Sequence, residues 1–122
     1  MDTEKIRKAV MDFVKAGDEQ DGKLLEKVLH SEFRVCINRF MGEKGVTILN
    51  KETYLKMIES KQIGGVPRNL TIVSIDRIEH IASVKVSITS EALNFNSFYS
   101  LILDENDEWK LIHDLPFVSS NS

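Results

Sequence analysis

Apolar residues at Ile6, Val10, Phe13 and Val14, followed by Gly17, recur at steps of three and four, which lines them up on one face of a helix. Asp2 or Thr3 offers an oxygen to the free N–H groups of its first turn, and Gly17 suits its end. A second, short helix follows in DGKLLEKVLH, with Asp21 as cap and Leu24, Leu25, Val28 and Leu29 as its apolar face. His30 then stands where a cation suits the end of that helix. EFRVCINRF changes period: Phe33, Val35 and Ile37 face one way and Arg34, Cys36 and Asn38 the other, as in a half-buried strand. MGEKG reads as a turn. NKETYLKMIES reads as a third helix, capped by Asn50, with Tyr54, Leu55 and Ile58 on one face. KQIGGVPRN is a loop.

From Leu70 onward every segment reads as strand. LTIVSIDRIE turns at Glu79-His80, and IASVKVSITSEA puts Ala82, Val84, Val86 and Ile88 on one face. NFNSFYSLIL and EWKLIHDLPFV complete a meander of four or five strands, and the polar end VSSNS reads as a frayed tail. Helices first and hairpin-linked strands after predict an α+β fold, with three N-terminal helices packed on one face of an antiparallel sheet. Phe98, Ile102, Trp109 and Leu111 are expected to give the opposite, outer face an apolar surface, which a monomer rarely leaves exposed as one large patch.

Composition narrows the classes. The 122 residues fit one domain spanning 1–122, and a net charge of −3 argues against a general nucleic-acid binder. The single Cys36 rules out an internal disulfide and suits a reducing cytoplasm. No apolar run approaches the length of a membrane span, and MDTEKIRKAV has no signal-peptide core. There is no phosphate loop, no paired-Cys zinc spacing and no His-Glu-x-x-His helix. DENDE lacks the Gly and distal Glu of a calcium loop and reads as a solvated turn. No metal or cofactor is therefore expected.

The candidate chemistry gathers in LILDENDEWKLIHDL. His113 and Asp114 are adjacent on a strand and so point to opposite faces unless the strand bulges. If Asn106-Asp107 is a two-residue turn, Tyr99 lies opposite Asp114. If the loop is Glu105-Asn106-Asp107, Asp104 pairs with Glu108 and Tyr99 lies opposite His113. Asn at a left-handed position suits either.

Four stretches in this order, FVKAGDEQDGKLLEKVLHSEFRV, LNKETYLKMI, SIDRIEHIASVKVSI and FYSLILDENDEWKLIHDLPF, resemble the nuclear-transport-factor-2-like superfamily with its cystatin-like cone, and within it the SnoaL-like and "putative lumazine-binding" group. Ser31 departs from the Pro that many relatives carry. The resemblance implies a strongly curved sheet around the first helix, a cavity inside the cone, and a homodimer through the outer sheet face. It leans toward the two-residue turn. Enzymes of this fold use a carboxylate or His in the cone, helped by a Tyr or a second acid. On this chain that implies Asp114, His113 and Tyr99 as catalytic candidates. Tyr54, Arg34 and Phe13 are candidates for contact with a small apolar or aromatic ligand, Arg34 because its planar fork matches anions. The expected function is a small-molecule-binding domain, as a cofactorless lyase or isomerase, set against a non-catalytic dimeric module.

Overall fold

A computed structural model describes residues 2–121. Helices α1 (Asp2–Glu19), α2 (Gly22–Val28) and α3 (Lys51–Glu59) pack on one face of a six-stranded sheet. The strands are β1 (Leu29–Asn38), β2 (Val46–Asn50), β3 (Asn69–Ile78), β4 (Ile81–Thr89), β5 (Leu93–Leu103) and β6 (Trp109–Ser120), and they lie in the order β2-β1-β6-β5-β4-β3. The sheet is curved and not closed. All pairs are antiparallel except β1 with β6, the second pair from the β2 edge, which is parallel. Among the described residues no helix is long and apolar enough to cross a membrane.

The helical period places the side chains as expected: Ile6, Val10, Phe13, Val14 and Gly17 are all buried against the sheet. Their core partners include Val84, Val86 and Ile88 of β4 and Leu101 of β5. Asp21 and Asn50 cap α2 and α3, their side-chain oxygens accepting from Leu24 N and Thr53 N at 3.1 and 2.9 Å, which satisfies donors the helices leave free.

Several expectations are corrected. α1 already contains Asp2 and Thr3, so the position before it falls on Met1, outside the described residues. Gly17 is not its stop: Gln20 takes the left-handed conformation (φ 53), and Asp21 N and Gln20 N bond back to Ala16 O and Gly17 O in a Schellman arrangement. His30 does not tend the end of α2. Lys51 Nζ donates to Leu29 O at 3.0 Å and Lys110 Nζ to Lys27 O at 2.6 Å, while His30 Nδ1 accepts from Glu32 N at 3.0 Å. VTILN forms a sixth, edge strand. The tail as far as Ser120 is strand, with Ser119 and Ser120 paired to Asn94 and Leu93. Trp109 and Leu111 face the core rather than the outer surface.

Candidate functional site

The site begins with an irregularity in β6. The loop before it is the three-residue one: Asp104 N bonds Glu108 O at 2.9 Å, and Asp107 takes the left-handed conformation (φ 58) in place of Asn106. Left alone, that loop would set Tyr99 opposite His113. The register instead steps from Leu101↔Leu111 to Ser100↔His113, so Ile112 is an extra residue and Tyr99 lies opposite Asp114. A bulge of this kind re-aims every side chain beyond it. Leu111 and Asp114, three positions apart, both point inward.

Asp114 is therefore a carboxyl on the apolar face of the sheet. It is nine-tenths buried, and its Oδ1 is buried with no hydrogen-bond partner. Desolvation raises its pKa from 3.8 to about 7, against a smaller opposing pull from the Arg68 guanidinium. A carboxyl poised there can both take and give a proton near neutral pH.

Around it stand four rings. Phe13 of α1 meets Tyr99 edge-on at 5.3 Å between centroids, stacks on Tyr54 of α3 at 6.1 Å, and lies 5.9 Å from Phe33 of β1. Phe33 in turn meets Tyr54 at 5.6 Å. Burial, and then the nearby Asp114 charge, push both tyrosine hydroxyls above their ordinary range. They stay protonated and can serve as hydrogen-bond donors. The rings fill the space between α1, α3 and the sheet. Two surface grooves of the fold, about 660 Å³ beside α3 and about 400 Å³ between α1 and β3, are not lined by Asp114, Tyr99 or Tyr54.

At the edge of this ring cluster Arg68 and Asp18 form a largely buried ion pair, Nε to Oδ1 at 2.5 Å. Arg68 also donates from its backbone N to Asp18 Oδ2 and from Nη2 to Val14 O, and its guanidinium lies 5.2 Å from the Phe95 ring. Gly17 leaves room for it, because a Cβ there would come within 2.9 Å of Nη2.

The predicted residues divide. Asp114, Tyr99, Tyr54 and Phe13 come together inside. His113 and Arg34 do not: they are register partners on the opposite face of the sheet, where Arg34 is exposed and His113 half-buried. Alternation takes Arg34 outward because Phe33 and Val35 point inward. Arg68 and Asp18 escaped the sequence reading. A signal for them existed: Asp18 and Glu19 end α1 with no basic residue in the last turn, and an acid opposed to the helix dipole there calls for a cation from elsewhere.

The profile of the family described as "Putative lumazine-binding" matches residues 1–115. No curated protein matches the chain. Solved structures similar to it include an NTF2-like protein of unknown function from Shewanella baltica OS155. It has 14% identity and a TM-score of 0.84, and the alignment covers 97% of this chain and 94% of that one. An NTF2-like protein from Cytophaga hutchinsonii has 20% identity and a TM-score of 0.78, over 93% and 95% of the two chains. A "putative ketosteroid isomerase" from Parabacteroides distasonis has 10% identity and a TM-score of 0.64, over 88% and 82%. At these identities the likeness is one of fold.

Proposed function

The chain belongs to the NTF2-like superfamily and to its "Putative lumazine-binding" family, and we propose that it is a small-molecule-binding domain acting as a cofactorless lyase or isomerase on a flat, largely apolar or aromatic ligand. The observation that carries the reading is the orphaned Oδ1 of Asp114. A buried polar atom without a partner costs stability, and the expense is explained if a ligand completes the bonding. Asp114 would exchange the proton, while Tyr99 and Tyr54 would donate hydrogen bonds to a carbonyl oxygen on which charge develops. Phe13 and Phe33 would pack on the ring faces of the ligand. A carboxyl raised to about 7 is partly ionised near neutral pH, which suits a general base that takes and returns a proton.

Lumazine, which has flat rings and carbonyl and N–H edges, is the first probe. Its fluorescence is followed as protein is added at pH 7, with Asp114→Asn and Tyr99→Phe compared with the unmodified chain. Binding that weakens at least tenfold in Asp114→Asn and several-fold in Tyr99→Phe is expected. Equal affinity in all three would reduce these residues to scaffold. Deuterium uptake beside the carbonyl of a bound cyclic ketone, lost in Asp114→Asn, is the corresponding readout for catalysis.

A second reading, the non-catalytic dimeric module, is favoured by the outer face. Phe98 (51% exposed), Leu115 (39%) and Phe117 (61%) lie on β5 and β6, with Ile48 (58%) on β2. Phe98 and Leu115 are direct register partners. Sedimentation at micromolar concentration should give a dimer that Phe98→Asp dissociates. A monomer in the unmodified chain rejects the module.

A further inference from the structure

Residues 60–68 join α3 to β3 without regular structure, and their attachment differs from that of every strand around them. Ile63 is the one apolar side chain of this stretch packed against the core, while Val66 and Pro67 are exposed. The rest of the seam is polar: Gln62 N and Ile63 N bond Met57 O of α3, and the remaining bonds end on α1 and Gln20. Gly65 N donates to Gly17 O at 3.0 Å, Gln20 Nε2 to Ile63 O at 3.2 Å, and Arg68 to Asp18 and Val14 O. At the centre of the seam two glycines lie backbone to backbone: a Cβ on Gly64 would collide with the Gly17 carbonyl oxygen. Lys61, Gly64 and Gly65 all have positive φ, at 65°, 79° and 85°, so the chain turns sharply at both ends of Ile63. In front of the seam lies the 400 Å³ groove, lined by Val14, Asp18, Arg68 and Leu70. Behind it are the packed rings and Asp114.

We infer that residues 60–68 are a door to the Asp114 chamber, hinged at Lys61 and at Gly64-Gly65 and latched by the Asp18–Arg68 pair. The inference rests on reading that chamber as a ligand site, but it concerns access alone and holds whatever reaction follows. Opening breaks the five hydrogen bonds to α1 and Gln20, and with them those of Gln62 N and Ile63 N to Met57 O, all of which water can replace, and it uncovers the half-buried Ile63. Segments built in this way open locally, far below the free energy of global unfolding. The groove gives an incoming apolar ligand a place to rest against Val14 and Leu70 before the latch parts, and Arg68, once released from Asp18, is free to swing with the door.

The test reads entry rather than binding or turnover, so its failure is distinct from failure of the proposed function. In a Cys36→Ser background, Asp114→Cys puts a thiol where the carboxyl stood, and iodoacetamide reports its exposure. Labelling is expected to be slow and insensitive to low urea, and to rise at least tenfold on adding Asp18→Asn or Gly64→Ala. The first removes the latch charge and the second forces the glycines apart. Lys51→Met, which loosens the separate α2–β1 seam, should leave the rate unchanged. If all three variants label in proportion to their global stability, followed by Trp109 fluorescence, there is no door. The unmodified chain gives an independent measurement. Amide exchange at Gly65 and Arg68 should need a much smaller opening free energy than at Val84 and Val86 of β4, and equal values would overturn the inference.

Discussion

Asp104 and Asp114 are the same side chain on two sides of one loop, and their surroundings push them in opposite directions. Asp104 closes the loop after β5. Its Oδ1 accepts from Glu108 N and Asn106 N, both at 2.9 Å. These backbone donors, Glu108 first, hold its pKa below the usual 3.8. Asp114 lies on the inner face of β6 with Oδ1 unpartnered, and loss of water takes it to about 7. Donors that favour the charged form lower a carboxyl pKa, whereas burial without donors raises it. One aspartate helps build the hairpin, and the other is kept by the hairpin at a cost in stability.

The widest break of this contrast comes from the rings that keep Asp114 dry. Phe13 is 3% exposed and touches three other rings. Phe13→Ala should cost about 3–5 kcal/mol, the usual range for a buried Phe, while exposed Lys15→Ala should shift the urea midpoint very little. Where the variant still folds, water in the vacated space should return the Asp114 pKa toward 3.8 and leave Asp104 unmoved. Carboxyl carbon shifts followed against pH check both. A midpoint no lower than that of Lys15→Ala would mean the helix face is wrongly assigned.

Next in size is the effect of Asp114 itself. Its folded pKa lies above its unfolded one, so the native state binds the extra proton, and stability falls as pH rises from about 4 to about 7. At about 1.4 kcal/mol per unit the loss has an upper bound of about 4 kcal/mol. Asp114→Asn cannot ionise, so its urea midpoint should stay level across that window and exceed that of the unmodified chain at pH 8. A midpoint in the unmodified chain that rises over the same interval, with Asp114→Asn level, would mean the carboxyl is charged and satisfied.

How much of this was legible follows from range. The face of α1, the caps at Asp21 and Asn50 and the alternation of β4 depend on neighbours within a turn or two, and the sequence displays them. β2 was missed because Val46 and Ile48 are exposed: an edge strand without a buried face shows no clear alternation. The bulge at Ile112 leaves no mark, since an isoleucine suits a regular strand equally well. Reading through it gives the wrong loop for the Tyr99–Asp114 pairing, because loop length and bulge cancel. Trp109 and Leu111 carry no local cue to the side the helices occupy, so their sequence fits the outer face as well as the inner one they take. Arg68 and Asp18 are fifty positions apart, and pairing over that distance is decided by the packed fold, as is the exclusion of water from Asp114.

The smallest effect belongs to Asp104, and its sign is the sharpest part of the comparison. Its folded pKa is depressed, so its contribution is present above the unfolded value near 3.8 and is lost as pH falls through the lower folded one. Asp104→Asn keeps an oxygen that can accept from Asn106 N and Glu108 N, which preserves the turn and removes only the charge. The carboxylate is exposed to water, so that charge is well screened. The expected result is a slight fall in the urea midpoint at pH 7, a difference from the unmodified chain that shrinks as the pH is taken below 3.8, and no change in the pH 4–7 slope owed to Asp114. A midpoint at pH 7 that rises instead would show that the negative charge burdens the loop, among its neighbours Glu105, Asp107 and Glu108, more than the two amides relieve it. The opposition between the two aspartates would then fail at its exposed end.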